Sequence, residues 1–586
     1  MSDAFPPPDH PWWRNAVIYQ IYPRSFKDAN GDGVGDLEGI IEKLDYLNDG
    51  TENSLGIDAI WISPIYKSPM VDFGYDVLDH CDIDPLFGDM AVFDRLIEEA
   101  HKRGIKVLMD FIPNHTSSRH PWFLESRETR DNSKRNWYVW RDPKPDGSPP
   151  NNWVSVFGGP AWTFDEKTGQ YYLHSFLPEQ PDLDWMNQEV RHAMYGVIRF
   201  WLDRGVDGFR IDAIQHIGKD SEGADDPPNP AYDSAIHDPY DQYIHTNSRN
   251  TEDLEMYIDK MCGILREYEG VFSITEATYE MDFPEYLEMY RDIWRISGGT
   301  MIPFNFYFFR LPWMANAFRS FVYSFDSALQ SGSIPNYVIG NHDRSRVASR
   351  RGPEKARLLA VLTMTLRGIG FIYYGDELGM TDTPIPQDKV QDPFEKRMHG
   401  KGSGRDPART PMQWNASEYG GFSDAQPWLP LHPDCGTINV EVQSRDPNSM
   451  LNLYRRLIRL RKTELALISG SYHPIATNYP DVFTFIREQG SEKIMVVIHF
   501  GDETHAVVHP IKQAHLGFKL GRFLHAELIM STRDINPSTK VYADITNLEV
   551  EPYHAYIFKL TNAQAPVPEP ALEFPVAHQE SEALPQ

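Results

Sequence analysis

Short apolar runs alternate along the chain with longer stretches whose apolar residues recur every three or four positions. Ala16-Val-Ile-Tyr-Gln-Ile-Tyr22, Ile57-Asp-Ala-Ile-Trp-Ile62 and Lys106-Val-Leu-Met-Asp-Phe111 read as strands. A helical pattern through Ile40, Leu44 and Leu47 follows the first. Phe93, Leu96, Ile97 and Ala100 follow the second, until Gly104 stops that helix. Val190, Met194, Val197, Ile198 and Trp201 form a helix face leading into Gly205-Val-Asp-Gly-Phe-Arg-Ile-Asp-Ala213, the fourth strand. Phe272 to Glu276, Met301 to Phe306, Tyr337 to Gly340 and Gly370 to Tyr374 give four more. Eight strands alternating with helices predict an α/β fold built as a (β/α)8 TIM barrel.

The rhythm breaks twice. Residues 113–181 are rich in Trp, Pro, Gly and Asn, with short strands such as Gln170-Tyr-Tyr-Leu-His174, and read as an inserted subdomain after strand 3. A second irregular insertion runs from about 380 to 447, before an amphipathic helix from Leu451 through Leu460 that closes the barrel. The barrel is therefore expected over 1–112 and 182–470. Beyond it the pattern is strands only: Val482 to Ile486, Ile494 to Ile498, Ala526 to Ile529 and Tyr556 to Leu560. These predict a C-terminal antiparallel β-sandwich domain over 471–562. The Pro/Glu/Ala-rich tail, 563–586, is expected to be disordered.

Composition narrows the function classes. A net charge of −28 disfavours nucleic acid and anionic membrane surfaces as partners. Cys81, Cys262 and Cys435 are far apart and odd in number, so no disulfide framework is expected. The first residues have neither a basic region nor an apolar core, and the longest apolar stretch, 358–374, is broken by Arg367 and glycines. The expectation is a cytoplasmic protein, monomer or homodimer, without an organic cofactor.

Candidate chemistry sits at the C-terminal ends of the strands, where barrel enzymes carry their catalytic groups. Strand 3 ends in Asp110, with Asn114 and His115 just beyond. Strand 4 ends in Arg210 and Asp212, strand 5 in Glu276, and strand 7 in Asn341-His342-Asp343. Arg210 and Asp212, two apart, would share one face of a strand. The Arg would lower the pKa of the Asp and hold it ionised, as a carboxylate nucleophile requires; a purely structural pair is the competing reading. Carboxylates gathered on one rim suit glycoside hydrolysis, with one attacking the anomeric carbon while another protonates the leaving oxygen. A retaining mechanism would place Asp212 and Glu276 about 5–5.5 Å apart.

At these segments the chain resembles the α-amylase family of glycoside hydrolases, in its oligo-1,6-glucosidase and α-glucosidase branch. Asp110-Phe-Ile-Pro-Asn-His115, Gly208-Phe-Arg-Ile-Asp212, Ile274-Thr-Glu276 and Asn341-His-Asp343 stand in the family's order. Gln180-Pro-Asp-Leu-Asp-Trp185 resembles the branch's QPDLNW segment, with Asp184 in place of Asn. Arg405-Asp-Pro-Ala-Arg-Thr-Pro-Met-Gln-Trp414 resembles its second-insertion motif. The resemblance implies Asp212 as nucleophile, Glu276 as acid/base and Asp343 as transition-state stabiliser. Arg210 would orient the nucleophile, and His115 and His342 would hold the reacting glucose. It also implies Tyr75 stacking on the sugar, Asp76 on its terminal hydroxyls with Arg409 bracing that Asp, and Phe157, Phe176 and Gln180 lining the pocket. Such a blocked pocket would make an exo-acting retaining α-glucosidase on short oligosaccharides or disaccharides. Ala213, after the nucleophile, would lean towards α-1,4 over α-1,6 linkages.

Asp28-Ala-Asn-Gly-Asp-Gly-Val-Gly-Asp36 has oxygen donors at alternate positions, like the first half of an EF-hand loop, but position twelve is Gly39, not Glu. The resemblance implies a structural Ca²⁺, or Mg²⁺, held by Asp28, Asn30, Asp32 and Asp36 side chains and the Val34 carbonyl. Two alternatives stay open: an α-glucosyl transferase or sucrose/trehalose-type isomerase on the same scaffold, and a non-catalytic sugar-binding relative. The Arg-Leu-Asp-Arg-Asp segment associated with sucrose isomerases is absent.

Overall fold

The computed structural model describes residues 11–220, 222–235, 237–276, 282–398, 404–475, 477, 479–503, 506–508, 525–537, 540–542 and 548–561. Eight strands form one parallel sheet: Val17–Ile21 (β1), Ala59–Ile62 (β2), Lys106–Phe111 (β3), Gly208–Ile211 (β4), Phe272–Thr275 (β5), Met301–Pro303 (β6), Asn336–Tyr337 (β7) and Ile369–Tyr373 (β8). Their spatial order is β6-β5-β4-β3-β2-β1-β8-β7. Side chains bridge the remaining seam. Asn336 Nδ2 donates to Pro303 O at 2.8 Å, and its Oδ1 accepts Asn305 N at 2.8 Å. The sheet thus curls into the expected TIM barrel.

The strands read as unbroken apolar runs because both their faces are covered. Every residue of β1, β2, β4, β5, β6 and β8 is buried. Gly208 opens β4 at φ 152°, where a Cβ would lie 1.6 Å from Phe272 O, so only glycine allows this strand to approach β5. Around the sheet run Leu37–Glu42 (α1), Met90–Lys102 (α2), Gln188–Leu202 (α3), Asp253–Leu265 (α4), Phe283–Ser297 (α5), Ala315–Ala328 (α6), Pro353–Thr365 (α7) and Met450–Thr463 (α8). Asp89, Asn187 and Ser449 cap α2, α3 and α8 by accepting backbone N–H groups.

Two strand predictions shift. β6 stops at Pro303 and β7 covers Asn336–Tyr337 instead of Tyr337 to Gly340. At the seam Val338 N donates to Asn305 O, so the apolar Val338-Ile339 pair is buried but leaves the ladder with β8. A small hairpin, Tyr66–Lys67 against Asp79–Ile83, precedes α2 and was not predicted.

Residues 113–181 contain a three-stranded antiparallel sheet of Trp140–Arg141, Gln170–Leu173 and Trp162–Asp165, in that order. Near the C-terminus a six-stranded antiparallel sheet runs in the order Ser471–Ile475, Val482–Gln489, Glu492–His499, Ala555–Thr561, His525–Ser531, Lys540–Tyr542. Alternate residues face two ways. Phe483, Phe485, Ile494 and Val496 join the barrel's core. Val482, Ile486, Met495 and Phe558 pack with Leu548 and Val550 of a second, two-stranded sheet. The predicted disordered tail lies outside the described residues. Among the described residues no helix is long and apolar enough to cross a membrane.

Candidate active site

Arg210 points from β4 into the barrel, level with Asp110 on β3 and Ile274 on β5. The ladder continues one residue past the strands: Asp212 N donates to Phe111 O at 2.8 Å and Glu276 N to Ile211 O at 2.9 Å. Both carboxylates therefore stand just above the rim, on neighbouring strands. Arg210 collects them. Its Nη1 lies 2.6 Å from Asp110 Oδ1 and 2.6 Å from Asp212 Oδ1, and its Nη2 lies 2.5 Å from Glu276 Oε2. The side chains open progressively to solvent: Asp110 is 0% exposed, Asp212 9% and Glu276 15%.

One guanidinium cannot hold three buried carboxylates ionised. Burial pushes Asp212 up to about 7 and Glu276 up to about 7, against the pull of Arg210. The expectation that the arginine would depress Asp212 is corrected: Arg210 is shared with Asp110 and Glu276, and desolvation outweighs its attraction. Asp343 goes the other way. Burial raises it but is outweighed by the His342 ring and the guanidiniums of Arg409 and Arg405, so its carboxyl is held below the usual range. The arrangement can keep one carboxyl protonated beside another that is charged, the pairing that acid-assisted displacement needs.

The histidines are neutral at pH 7. Burial lowers His115 to about 4 and His342 well below its usual value. Gln20 Nε2 lies 2.8 Å from His342 Nδ1 and Asn114 Nδ2 lies 3.2 Å from His115 Nδ1. With the Gln20 amide donating, the His342 ring carries its proton on Nε2. The His115 Nε2 faces both the Tyr75 carbonyl, at 3.2 Å, and the Gln180 amide. Tyr75 stacks on His342 with 3° between the ring planes, its hydroxyl 2.7 Å from His342 Nε2 and 3.3 Å from Asp110 Oδ2.

These groups line a cavity of about 730 Å³ that contains Tyr75, His115, Phe157, Phe176, Gln180, Asp212, Glu276, His342 and Asp343. Arg210 reaches it through its carboxylates. Two expected members are elsewhere. Asp76 faces away, accepting Val71 N, Asp72 N and the Ser68 hydroxyl. Arg409 does not brace it: its Nη2 lies 2.9 Å from Asp343 Oδ1 and its Nε donates to His342 O at 2.7 Å. The cavity wall holds Asp72 and Arg405 instead, paired at 2.7 Å, with Arg405 also on Asp392 at 2.7 Å. Gln180 Nε2 lies 3.3 Å from Asp72 Oδ2 and 3.2 Å from His115 Nε2. The cause lies in the turn: Met70 and Phe73 at φ 61° and 50°, and Gly74 at φ 107°, reverse the chain so that Asp72 points in and Asp76 back onto amides. Asp72-Phe-Gly-Tyr-Asp76 offers two aspartates four apart, as the motif beginning at Arg405 offers two arginines, and for the aspartates the turn makes the choice. Gln20 and Trp61, whose Nε1 donates to Asp110 Oδ2 at 3.0 Å, were also missed, looking like ordinary strand residues.

The loop 28–36 is a separate structure. Asp28 accepts Gly31 N, Gly33 N and the Ser423 hydroxyl, and Asp36 accepts Ala29 N, Asn30 N and Gly39 N. Asn30 and Asp32 accept Asp32 N and Val34 N. Its donors are all oxygens, the chemistry of a hard cation, and carboxylate oxygens carry a second lone pair. Among the described residues, however, no three His, Cys, Asp or Glu side chains are gathered into a metal cluster.

Comparison with known proteins agrees with this geometry. The family model described as the catalytic domain of alpha amylase matches residues 20–470. The chain is 37% identical to an oligo-1,6-glucosidase of Parageobacillus thermoglucosidasius, covering 94% of this chain and 99% of that one. It is 41% identical to a probable alpha-glucosidase of Rhizobium meliloti (strain 1021), covering 86% and 92%. Among solved structures, the α-glucosyl transfer enzyme XgtA is similar with a TM-score of 0.84 at 37% identity, covering 94% of this chain and all of that one.

Proposed function

Because this chain belongs to the α-amylase family of glycoside hydrolases, we propose that it is a retaining, exo-acting α-glucosidase that removes glucose from the non-reducing end of short α-glucosides. The observation that carries the reading is the set of Asp110, Asp212 and Glu276 on one guanidinium, opening into a cavity walled by the Asp72–Arg405 pair.

In this mechanism the shared proton rests on Glu276, the outermost of the three, and the charge on Asp212. The Asp212 carboxylate attacks the anomeric carbon, the glycosidic C–O bond breaks, and the leaving oxygen takes the Glu276 proton. A β-glucosyl ester on Asp212 results. Glu276, now a carboxylate, takes a proton from water as that water attacks the same carbon; α-glucose leaves and both groups regain their starting states. Asp343, kept charged by Arg405 and Arg409, accepts hydrogen bonds from the sugar hydroxyls as positive charge grows on the ring. Neutral His342 donates from Nε2 to the same sugar, neutral His115 hydrogen-bonds it from the other side of the pocket, Tyr75 stacks on it, and Asp72 with Arg405 receives its far hydroxyls and blocks further chain. Phe157, Phe176 and Gln180 shape the walls.

A sugar in place of water at the second step gives glucosyl transfer, and the likeness to an α-glucosyl transfer enzyme keeps that reading in play. Ala213 lines the cavity beside Asp212, and its small side chain supports a reading that favours α-1,4 over α-1,6 linkages. We also propose a Ca²⁺ or Mg²⁺ ion in the loop 28–36, on its oxygen-only donors Asp28, Asn30, Asp32, Val34 and Asp36. The test of function is separate incubation with maltose, isomaltose, sucrose and trehalose, identifying every product. Glucose from maltose, faster than from isomaltose, is expected. Internal cleavage of longer chains would overturn the exo reading, and oligosaccharide products outweighing glucose would favour transfer.

A further inference from the structure

β7 is only two residues long, yet the segment beyond it delivers His342 and Asp343 to the cavity. From Ile339 to Ser345 this segment is neither helix nor strand. Its own turn bond, Asp343 N to Asn341 Oδ1 at 3.1 Å, closes only its middle. Asp382 accepts from Ser345 Oγ and from Arg346 N at the segment's far end, and arginines hold the segment's carbonyls. Arg409 Nε donates to His342 O, and Arg346 Nη1 donates to Tyr374 O at 2.7 Å, tying the end of the segment to the end of β8. Arg350, on the short helix Val347–Arg351, donates from Nη2 to Ile339 O at 2.6 Å and from Nε to Ser345 O at 2.7 Å. A single planar guanidinium therefore clasps both ends of the segment. It is half-buried and lines the open cavity, 4.5 Å from the Phe309 ring centroid, so a small solute can enter its place from the cavity.

We propose that Arg350 is a positioning residue for the glycosidic reaction: its two-point clasp on the carbonyls of Ile339 and Ser345 sets where the Asp343 carboxylate stands against the sugar. This rests on the reading of Asp343 as the group that stabilises the transition state. The clasp needs the forked donor geometry of Arg. The single ammonium of Lys keeps the charge but does not present two donors at fixed spacing. Opening the clasp lets the carboxylate drift, and a misplacement of about 1 Å costs on the order of a hundredfold in rate.

The test uses the full chain and 4-nitrophenyl α-glucoside. Wild-type turnover comes first; its absence would count against the glucosidase reading, not against the clasp. For Arg350→Ala the expected result is a kcat lower by about ten- to a hundredfold with little change in KM. The melting temperature should stay close to wild type, and millimolar guanidinium, but not sodium, should raise kcat again. Arg350→Lys should be impaired like the Ala variant. A kcat within about twofold of wild type in Arg350→Ala, or a raised KM at unchanged kcat, overturns the proposal. The latter outcome would make Arg350 a binder of the leaving group. Failure of guanidinium to restore kcat, or full activity in Arg350→Lys, overturns it too. Should Arg350→Ala not fold, Arg350→Lys decides: lost kcat at a wild-type melting temperature supports the clasp.

Discussion

Burial sets the titration of the site, because the one positive charge of Arg210 is shared among Asp110, Asp212 and Glu276 and is outweighed. Asp212 and Glu276, ordinarily at 3.8 and 4.5, are both pushed up to about 7 by burial. Between about pH 4 and 7 the folded protein therefore holds protons that the unfolded chain has released, so these two groups make stability fall as pH rises through that window. Asp343, held low, works the other way, contributing stability above its ordinary pKa that is lost in stronger acid. The double variant Asp212→Asn/Glu276→Gln should accordingly gain in melting temperature relative to wild type on going from about pH 4 to 7. A difference that does not change with pH would show that the two carboxyls are not raised. Asp72 and Asp76 separate just as cleanly. Asp72→Ala should lower kcat/KM for maltose by about a hundredfold, because the substrate hydroxyls lose their buried partner. Asp76→Ala should leave kcat/KM near wild type but lower the melting temperature, since its carboxylate accepts two backbone N–H groups and a hydroxyl. The reverse result in kinetic assays would restore Asp76 to the pocket.

At the scale of elements, the barrel's weakest join is between β6 and β7. Asn336→Ala removes the side-chain bonds to Pro303 O and Asn305 N and should destabilise the protein by about 1–3 kcal/mol in thermal or urea unfolding. Unfolding coincident with wild type would mean that the seam is held otherwise. The barrel strands were legible because burial on both faces writes them as continuous apolar runs. The same cue misplaced β7: Val338 and Ile339 are buried, but as the root of the segment carrying Asp343 rather than as sheet. Asp212, Glu276 and Asp343 were legible because rim position and residue type coincide. The choice of Asp72 over Asp76 was not, because it is made by left-handed backbone at Met70 and Phe73, where neither residue type announces it. Nor was the upward shift of Asp212, since a local Arg-x-Asp pattern does not reveal that the arginine has two other partners.

Across the whole molecule, the loop 28–36 ties the start of the barrel to the second insertion. Asp28 N donates to Phe422 O at 2.9 Å, Ser423 Oγ to Asp28 Oδ2 at 2.6 Å, and Trp428 N to Gly33 O at 3.0 Å. That insertion also carries Arg405. A cation in the loop would brace this join by binding only the folded form, so chelation should lower the melting temperature while activity per folded molecule changes little. A melting temperature indifferent to chelator and to added Ca²⁺ would remove the ion from the account. The C-terminal sheet is joined just as firmly. Arg461 and Arg487, both fully buried, donate to backbone carbonyls, Arg461 to Met364 and Leu366 and Arg487 to Thr365 and Leu467. Barrel and sheet thus share α7 as a common wall.

The proposed mechanism turns on one covalent bond, that between Asp212 and the anomeric carbon. The direct measurement is to trap it with 5-fluoro-α-glucosyl fluoride, whose ester turns over slowly, and to locate the label by mass spectrometry of the digested protein. The account predicts one glucosyl adduct, on the peptide that contains Asp212, formed in step with loss of activity and absent in Asp212→Asn. A label on any other residue, or inactivation with no adduct while maltose is still cleaved, would contradict it.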